Sequence, residues 1–271
     1  MIRSCVTISL VPEGRGPFIF CGDLAASCRQ AKDLGFDAIE VFPPSAAAVD
    51  ASALRRLLHE TGLQLAAVGT IAGWVLQRLT LTAPEAGKRA HAREFIRSII
   101  DLAGQFHAAV IIGLMQGRHA EGMDKVAAMG HLREALNDLG EHAHKYGVPL
   151  LFEPLNRYET NLVNTIEDGI HLLGTLSTKN VKLLADLFHM NIEETDVAAS
   201  LRGGADHIGH VHFVDSNRRP AGCGHTDFTP IAAALRDIGY QGYVSAEVFP
   251  QPDPAEAARL MIAAYRRFFA V

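Results

Sequence analysis

One stretch decides how this chain folds: residues 148–161 read VPLLFEPLNRYETN. The apolar run before Glu153 is typical of a strand that is buried on both faces of a parallel sheet. Pro154 has no backbone N–H to give to a sheet, so the strand is predicted to end directly after the acid. An unpaired carboxylate is costly to bury. Glu153 therefore needs a proton or a cation where the strand ends.

Three later stretches repeat this design, each as an apolar run with a polar residue at its sixth position. They are VKLLAD (181–186), HIGHVH (207–212) and GYVSAE (242–247), which end on Asp186, His212 and Glu247. From Glu153 onward these polar residues follow one another at distances of 33, 26 and 35 residues, each about one βα unit. Parallel strands would bring all four to the same level of one sheet. The alternative is that each polar residue only caps its own strand.

The combination of three carboxylates and one imidazole predicts the kind of ligand. It suits a hard or borderline divalent cation such as Mn²⁺, Mg²⁺ or Co²⁺. The set contains no thiolate and is therefore not typical of a structural zinc site. We expect one divalent cation at the ends of these four strands.

The rest of the chain alternates between predicted strands and helices. Further strands are predicted at 6–11, 38–42, 63–68 and 109–114, and helices at 24–34, 52–60, 84–106, 124–145, 165–176, 197–201, 228–238 and 254–269. Residues 69–83 are predicted as a loop, and the sixth strand is predicted to continue past Asp186. Eight such units in 271 residues predict a single (β/α)₈ TIM-barrel domain over 1–271, with a doubly wound sheet as the alternative. Enzymes of this fold carry their chemistry at the C-terminal ends of the strands.

Composition and charge limit the kinds of partner and the cell compartment that we expect. The net charge of −5 gives no electrostatic reason to expect a nucleic-acid partner. No stretch approaches the roughly 18 apolar residues of a membrane span, and the N-terminus lacks the pattern of a signal peptide. The four cysteines are scattered without a CxxC pair, which favours reduced thiols and a cytoplasmic protein.

Other polar side chains are expected at the same rim. Glu159 follows the fifth strand, His189 lies three residues after Asp186, and Arg218 and His225 follow the seventh strand. These groups could all face one cavity. Glu40, at the end of the second strand, has no matching set around it and is predicted to be a structural ion-pair residue.

Three runs carry a resemblance to a known family. They are EPLNRYE (153–159), DLFHMNIEE (186–194) and HFVDSNR…GCGHTDF (212–228). They resemble the ketose 3-epimerases, the D-tagatose and D-allulose (psicose) 3-epimerase group of xylose-isomerase-like barrels. The N-terminal half, through VGT (68–70), LTLT (79–82) and VIIGL…GR (110–118), looks closer to the 5-keto-L-gluconate epimerase type.

This resemblance implies a function and a set of site residues. It implies inversion of carbon 3 of a ketose or keto-sugar acid through a cis-enediolate, with Mn²⁺ as the preferred cation and a homodimer or homotetramer as the assembly. The implied metal ligands are Glu153, Asp186, His212 and Glu247. Of these, Glu153 and Glu247 are also the implied acid/base pair. The implied substrate-binding residues are Glu159, His189 and Arg218, to which we add Trp74 for specificity and Arg118 as a cation for a substrate carboxylate.

Three competing functions stay open at this point. The same metal site could serve an aldose–ketose isomerase or a hydroxypyruvate isomerase, which move the proton between adjacent carbons. An apurinic-endonuclease relative would need further metal ligands and a basic DNA-binding face, which the net charge disfavours. A non-catalytic sugar-binding barrel would not require two carboxylates on a metal.

Overall fold

Eight parallel strands close into a barrel in the computed structural model of the protein, which describes residues 1–11, 16–119 and 123–269. The barrel strands are β1 Arg3–Ser9, β2 Ala38–Phe42, β3 Gln64–Gly69, β4 Ala109–Ile112, β5 Leu150–Phe152, β6 Val181–Asp186, β7 Ile208–His212 and β8 Tyr243–Ala246. A further two-residue strand, Phe20–Cys21, pairs with β1 and is not part of the closed barrel. Each barrel strand pairs in parallel with the next, and β8 pairs with β1, which closes the barrel. The predicted TIM-barrel fold is confirmed, and the doubly wound alternative is wrong.

Ten α-helices lie in the described part of the chain. They are α1 Leu24–Leu34, α2 Ala51–Thr61, α3 Ile71–Gln77, α4 Ala86–Gly104, α5 Lys125–His144, α6 Ile166–Gly174, α7 Leu187–Glu193, α8 Val197–Gly203, α9 Phe228–Asp237 and α10 Pro254–Phe268. Aspartates cap many of them, as Asp23 does for α1 by accepting the N–H of Ala26. Gly35, in the left-handed conformation, ends the same helix as its sequence predicts.

Two local predictions are wrong. The region predicted as a loop, 69–83, contains the helix α3. The sixth strand does not run past Asp186, because that residue caps the helix α7. Its Oδ1 accepts the backbone N–H groups of Phe188 at 2.7 Å and His189 at 3.4 Å, which turns the chain into a helix. The carboxylate thus ends one element and begins the next.

The strands are buried on both faces, as their continuous apolar runs require. Inward-facing residues of β2 to β6 form a small inner cluster with Phe18, which precedes β2; the strand residues are Phe42, Ala67, Ala109, Ile111, Leu151 and Leu184. The alternate residues of the same strands join the larger layer between barrel and helices. Along the described ranges, no helix combines the length and hydropathy that crossing a membrane requires.

The cap of the last helix offers a test of this local structure. Asp253 accepts the N–H of Glu256 at 2.9 Å at the start of α10. We expect Asp253→Ala to lower the free energy of unfolding by about 1 kcal/mol, since the freed N–H loses its partner. Urea unfolding measures this change. Asp253→Ser, which can still cap, should stay close to the original protein, and equal losses in both variants would contradict the capping role.

Candidate metal centre and substrate pocket

The structure brings together the four polar residues that end the strands β5 to β8. Glu153 follows β5 and Glu247 follows β8, while Asp186 and His212 are the last residues of β6 and β7. One oxygen or nitrogen atom from each of the four lies within 4.8 Å of the others, and all four side chains are buried. This cluster, which we call the ligand group, lies at the C-terminal ends of the strands, where TIM-barrel enzymes have their active sites.

The contacts within the ligand group fit a divalent cation. The Nδ1 atom of His212 lies 3.3 Å from Asp186 Oδ2, 3.6 Å from Glu247 Oε2 and 3.7 Å from Glu153 Oε1. Among the described residues, Glu153 Oε1 has no hydrogen-bond partner although it is buried. A buried carboxylate oxygen without a donor is costly, and a cation among three carboxylates would remove that cost. The donor set, three carboxylates and one imidazole, suits Mn²⁺, Mg²⁺ or Co²⁺.

Local sequence sets the position of Glu153. Its backbone N–H donates to Ile112 of β4 at 3.0 Å, and its carbonyl accepts the side-chain amide of Gln116 at 2.9 Å. Gly113 leaves room for the carboxylate, since a Cβ atom at this position would lie 2.5 Å from Glu153 Oε2. Because Gly113 has no side chain, the Glu153 carboxylate can occupy the space beside it.

Burial and mutual charge shift the pKa values of the ligand group. Burial, together with the neighbouring carboxylates, raises the pKa of Glu153 well above its ordinary value, and burial likewise raises the pKa of Glu247. Burial alone would raise the pKa of Asp186 too, but His189, His212 and Arg218 hold it well below its usual range. Burial would lower the pKa of His212, yet Glu40 and Glu247 raise it well above normal. Glu153 and Glu247 therefore hold a proton more readily than a free glutamate does, and Asp186 holds one less readily than a free aspartate.

A pocket opens directly onto the ligand group. Glu153 and Glu247 line one side together with the three residues predicted to bind substrate, Glu159, His189 and Arg218. The remaining lining residues are mostly apolar: Phe42, Thr70, Ile71, Ile111, Gly113, Leu114 and Leu155. The pocket therefore has a polar side at the ligand group and an apolar side formed by the ends of β2 to β5.

His189 is held as a hydrogen-bond donor. The backbone N–H of Asn156 donates to its Nδ1 at 3.2 Å, so this nitrogen carries no proton and the neutral ring must be protonated at Nε2. Burial lowers the pKa of His189, which favours the same neutral ring. Its Nε2 has no partner among the described residues and lies 3.7 Å from Glu153 Oε1. A free N–H group thus points to the ligand group.

Arg218 links the acids of the pocket. Its guanidinium donates to Glu247 at 2.7 Å and to Glu159 at 3.4 Å, and it lies over the ring of Phe188 at 4.8 Å. The backbone of Arg218 has a φ of 60°, a left-handed conformation that is uncommon for arginine. Hydrogen bonds on both sides hold it there, from its N–H to Asp215 and from Phe249 to its carbonyl.

Other predicted site residues lie elsewhere. Arg118 is exposed and donates to the carbonyl of Tyr158 at 3.1 Å. Trp74 lies on α3, where the guanidinium of Arg78 stacks on its ring at 4.9 Å. His225 contacts Ser216 at 3.0 Å. Of the described residues, those that line the pocket include none of these three.

The sequence interpretation missed several supporting residues. Gly113, Asn156 and Phe188 each contact a member of the pocket. Asn156 and Phe188 stand inside the runs that carry the family resemblance, which was the available signal. The carboxylate of Glu40, taken as a structural ion pair, contacts the imidazole of His212 at 3.1 Å.

Fold and site together define a class of protein, a (β/α)₈ enzyme with an acidic pocket at the C-terminal ends of its strands. The chain belongs to the xylose isomerase-like TIM barrel family, whose model matches residues 28–266, and within it to the ketose 3-epimerase group. It is accordingly an isomerase of the carbohydrate epimerase type.

Three relatives illustrate the similarity. The chain is 30% identical over 224 residues to D-psicose 3-epimerase of Agrobacterium fabrum, covering 80% of this chain and 76% of the relative. It is 28% identical over 247 residues to 3-dehydro-D-guloside 4-epimerase of Escherichia coli, covering 85% and 89%. A solved structure of L-ribulose 3-epimerase matches with a TM-score of 0.82 at 27% identity, covering 97% of this chain and 93% of that one.

Cation binding should stabilise the folded protein. We expect Mn²⁺, added to chelator-treated protein at about 100 times its Kd, to stabilise it by about 2.7 kcal/mol and raise Tm by roughly 5–10 °C. Differential scanning calorimetry measures the shift. Asp186→Asn should lose most of it, whereas Glu141→Gln, an exposed helix residue, should keep it. Equal Mn²⁺ shifts in both variants would exclude this site.

The space at Gly113 gives a second test. In Gly113→Ala the new Cβ would displace the Glu153 carboxylate, so we expect Mn²⁺ affinity to fall by about tenfold or more. Calorimetric titration measures the affinity. Gly130→Ala is the matched control, since a Cβ there meets nothing within 4 Å, and its Mn²⁺ affinity should not change. Unaltered binding in Gly113→Ala would show that this contact does not position the acid.

Proposed function

We propose that this protein is a divalent-cation-dependent epimerase that inverts carbon 3 of a ketose through a cis-enediolate. The observation that carries the proposal is the shared pocket. Glu153 and Glu247 line it as two carboxylates from different strands, and His189 and Arg218 line it as hydrogen-bond donors. The similarity to D-psicose and L-ribulose 3-epimerases supports the same chemistry. Mn²⁺ is the cation we propose, and a homodimer or homotetramer remains the predicted assembly.

The reaction needs two proton-transfer groups. The proton on the carbon next to a carbonyl is only weakly acidic, and inversion requires that a proton return to the opposite face. Glu153 and Glu247 would act as this pair, one as base and the other as acid, with roles exchanged in the reverse direction. A bound divalent cation would supply electrostatic stabilisation of the enediolate charge.

The remaining polar groups would orient the substrate. His189, held neutral with a free Nε2–H, would donate to a substrate oxygen next to the ligand group. Arg218 would stabilise negative charge that develops on the substrate oxygens, because its guanidinium already lies among the acids. Glu159 would accept a hydrogen bond from a substrate hydroxyl. Together they would fix the carbonyl end of the sugar and leave the other end towards the apolar side.

The charges of the pocket favour an uncharged ketose over a keto-sugar acid. Among the described lining residues, Arg218 is the cationic side chain, and Glu247 and Glu159 already bind it. Arg118, predicted to bind a substrate carboxylate, donates instead to the carbonyl of Tyr158. A carboxylate on the substrate would therefore lie near the three lining acids Glu153, Glu159 and Glu247 without a free cationic side chain, which like-charge repulsion disfavours.

Isomerase reactions that pass through the same enediolate are the alternatives that an experiment has to distinguish from epimerisation. An aldose–ketose isomerase or a hydroxypyruvate isomerase would use the same enediolate but return the proton to the adjacent carbon. The relative named 3-dehydro-D-guloside 4-epimerase inverts a carbon that its name places beside a ketone. Inversion next to a carbonyl is common to it and to the 3-epimerases, so the two-carboxylate scheme accommodates both.

Proton exchange in D₂O tests the proposal. Mn²⁺-loaded protein is mixed with fructose, tagatose, allulose, sorbose, ribulose and 5-keto-gluconates, and NMR follows deuterium incorporation. We expect deuterium at carbon 3 and a new epimer from an uncharged ketose, with slower exchange of the 5-keto-gluconates. A deuterated aldose as product would favour the isomerase, and absence of exchange with every sugar would refute the proposed function.

Variants of the two glutamates test their roles. At saturating Mn²⁺, we expect Glu153→Gln and Glu247→Gln each to lower the inversion rate by at least about 100-fold, since each removes one proton-transfer group. Each variant should still exchange deuterium at carbon 3 without inversion, because one base remains. This exchange should occur with only one of the two epimers, and the two variants should act on opposite epimers. Glu141→Gln, an exposed helix residue outside the pocket, should invert its substrate at the original rate. Near-normal inversion in either glutamine variant would contradict the scheme.

A further inference from the structure

A polar contact lies in the barrel interior behind the ligand group. Glu40 of β2 is fully buried, and its two carboxylate oxygens contact two histidines of β7. Oε2 lies 2.8 Å from His210 Nε2, and Oε1 lies 3.1 Å from His212 Nε2. These are hydrogen-bond distances, so the carboxylate accepts one N–H from each imidazole.

The barrel brings these residues together across its interior. The strands β2 and β7 are not neighbours in the sheet, so the contact does not arise from strand pairing. His210 and His212 are two residues apart on one strand and therefore point to the same side of the sheet. Glu40 alternates with Ile39 and Val41, which belong to the layer between barrel and helices, so its side chain points into the interior. The strand geometry thus directs Glu40 at both rings.

The two nitrogens of His212 face different partners. Nε2 faces Glu40, and Nδ1 faces the carboxylates of Asp186, Glu153 and Glu247 at 3.3 to 3.7 Å. An ionised carboxylate can only accept hydrogen bonds, so Nε2 must carry a proton. In the neutral ring, Nδ1 then has the free lone pair that a metal ligand needs. The contact with Glu40 selects this tautomer and fixes the plane of the ring.

We infer that Glu40 is a positioning residue of the metal centre, which acts by holding His212 with Nδ1 directed at the cation. This inference rests on the proposed function, since it requires that the ligand group bind a divalent cation. Glu40 itself is buried and is not among the residues that line the pocket. Its effect on the reaction would therefore pass through His212 alone.

His210 provides the second donor that a buried carboxylate needs. With one donor only, one oxygen of Glu40 would be buried without a partner. His210 contacts Glu40 from the same strand as His212, but it does not belong to the ligand group that includes Glu153. His210 therefore supports the Glu40 carboxylate but gives no atom to the ligand group. A variant of His210 is the control for a variant of Glu40.

The test compares Glu40→Leu with His210→Leu. Both variants remove one half of the same buried contact, so both should lower thermal stability in the absence of metal, as circular dichroism would record. Mn²⁺ affinity, measured by electron paramagnetic resonance of the free ion, should separate them. We expect Glu40→Leu to bind Mn²⁺ about 10- to 100-fold more weakly and His210→Leu to stay within about threefold of the original protein.

A double variant shows whether the effect passes through His212. When His212→Asn has already removed the imidazole, adding Glu40→Leu should change Mn²⁺ affinity by less than about twofold. Where Glu40→Leu does not unfold cooperatively, Glu40→Gln replaces it, since its amide offers one acceptor oxygen to two N–H groups. The same direction of change is expected.

The outcomes separate this inference from the proposed function. Absence of Mn²⁺ binding in the original protein would refute the metal centre itself. Normal Mn²⁺ binding in the original protein and in the Glu40 variants would refute only the positioning role. An equal loss in Glu40→Leu and His210→Leu, or an undiminished Glu40→Leu effect in the His212→Asn background, would show that Glu40 supports only the fold.

Discussion

Three carboxylates and an imidazole converge at the mouth of the barrel, and the surrounding structure is arranged to hold them there. Their mutual repulsion must be balanced, because buried like charges otherwise drive such groups apart or protonate them. Each of three members is held in place by a group outside the cluster. Backbone N–H groups of α7 bind Asp186, Arg218 binds Glu247, and Glu40 binds His212.

Glu153 differs from the other three in this respect. Its Oε1 has no partner among the described residues, and its Oε2 occupies the space beside Gly113. A carboxylate with one free oxygen at the edge of a pocket can both bind a cation and exchange a proton with a substrate. The asymmetry between a tightly held Asp186 and a less constrained Glu153 agrees with their proposed roles, ligand for the first and ligand with proton transfer for the second.

Much of the fold and of the ligand group could be predicted because short local sequence patterns indicate both. An apolar run that ends in a polar residue identifies a buried strand and the level at which it ends. Four such runs place Glu153, Asp186, His212 and Glu247 together once the sheet is parallel. The helix α7 was missed because Asp186 serves both as strand end and as helix cap, and the strand pattern hides the cap.

The parts that could not be predicted depend on contacts across the barrel or on the path of loops. Glu40 and His212 are 172 residues apart, and no spacing rule joins β2 to β7. The orientation of Arg118 depends on a loop that leads its guanidinium to the carbonyl of Tyr158. Trp74 was placed in a loop that is in fact the helix α3, so its position relative to the pocket could not follow from sequence.

The double role of Asp186 also constrains how such an enzyme can diverge. One carboxylate oxygen, Oδ2, lies 3.3 Å from His212 Nδ1, and the other, Oδ1, accepts the N–H that starts the helix carrying His189. In the proposed enzyme, a substitution that removes both oxygens would disturb cation binding and the position of His189 at the same time. In the proposed enzyme, a change of sugar preference is therefore expected from the apolar side of the pocket, which Phe42, Ile71 and Leu114 line.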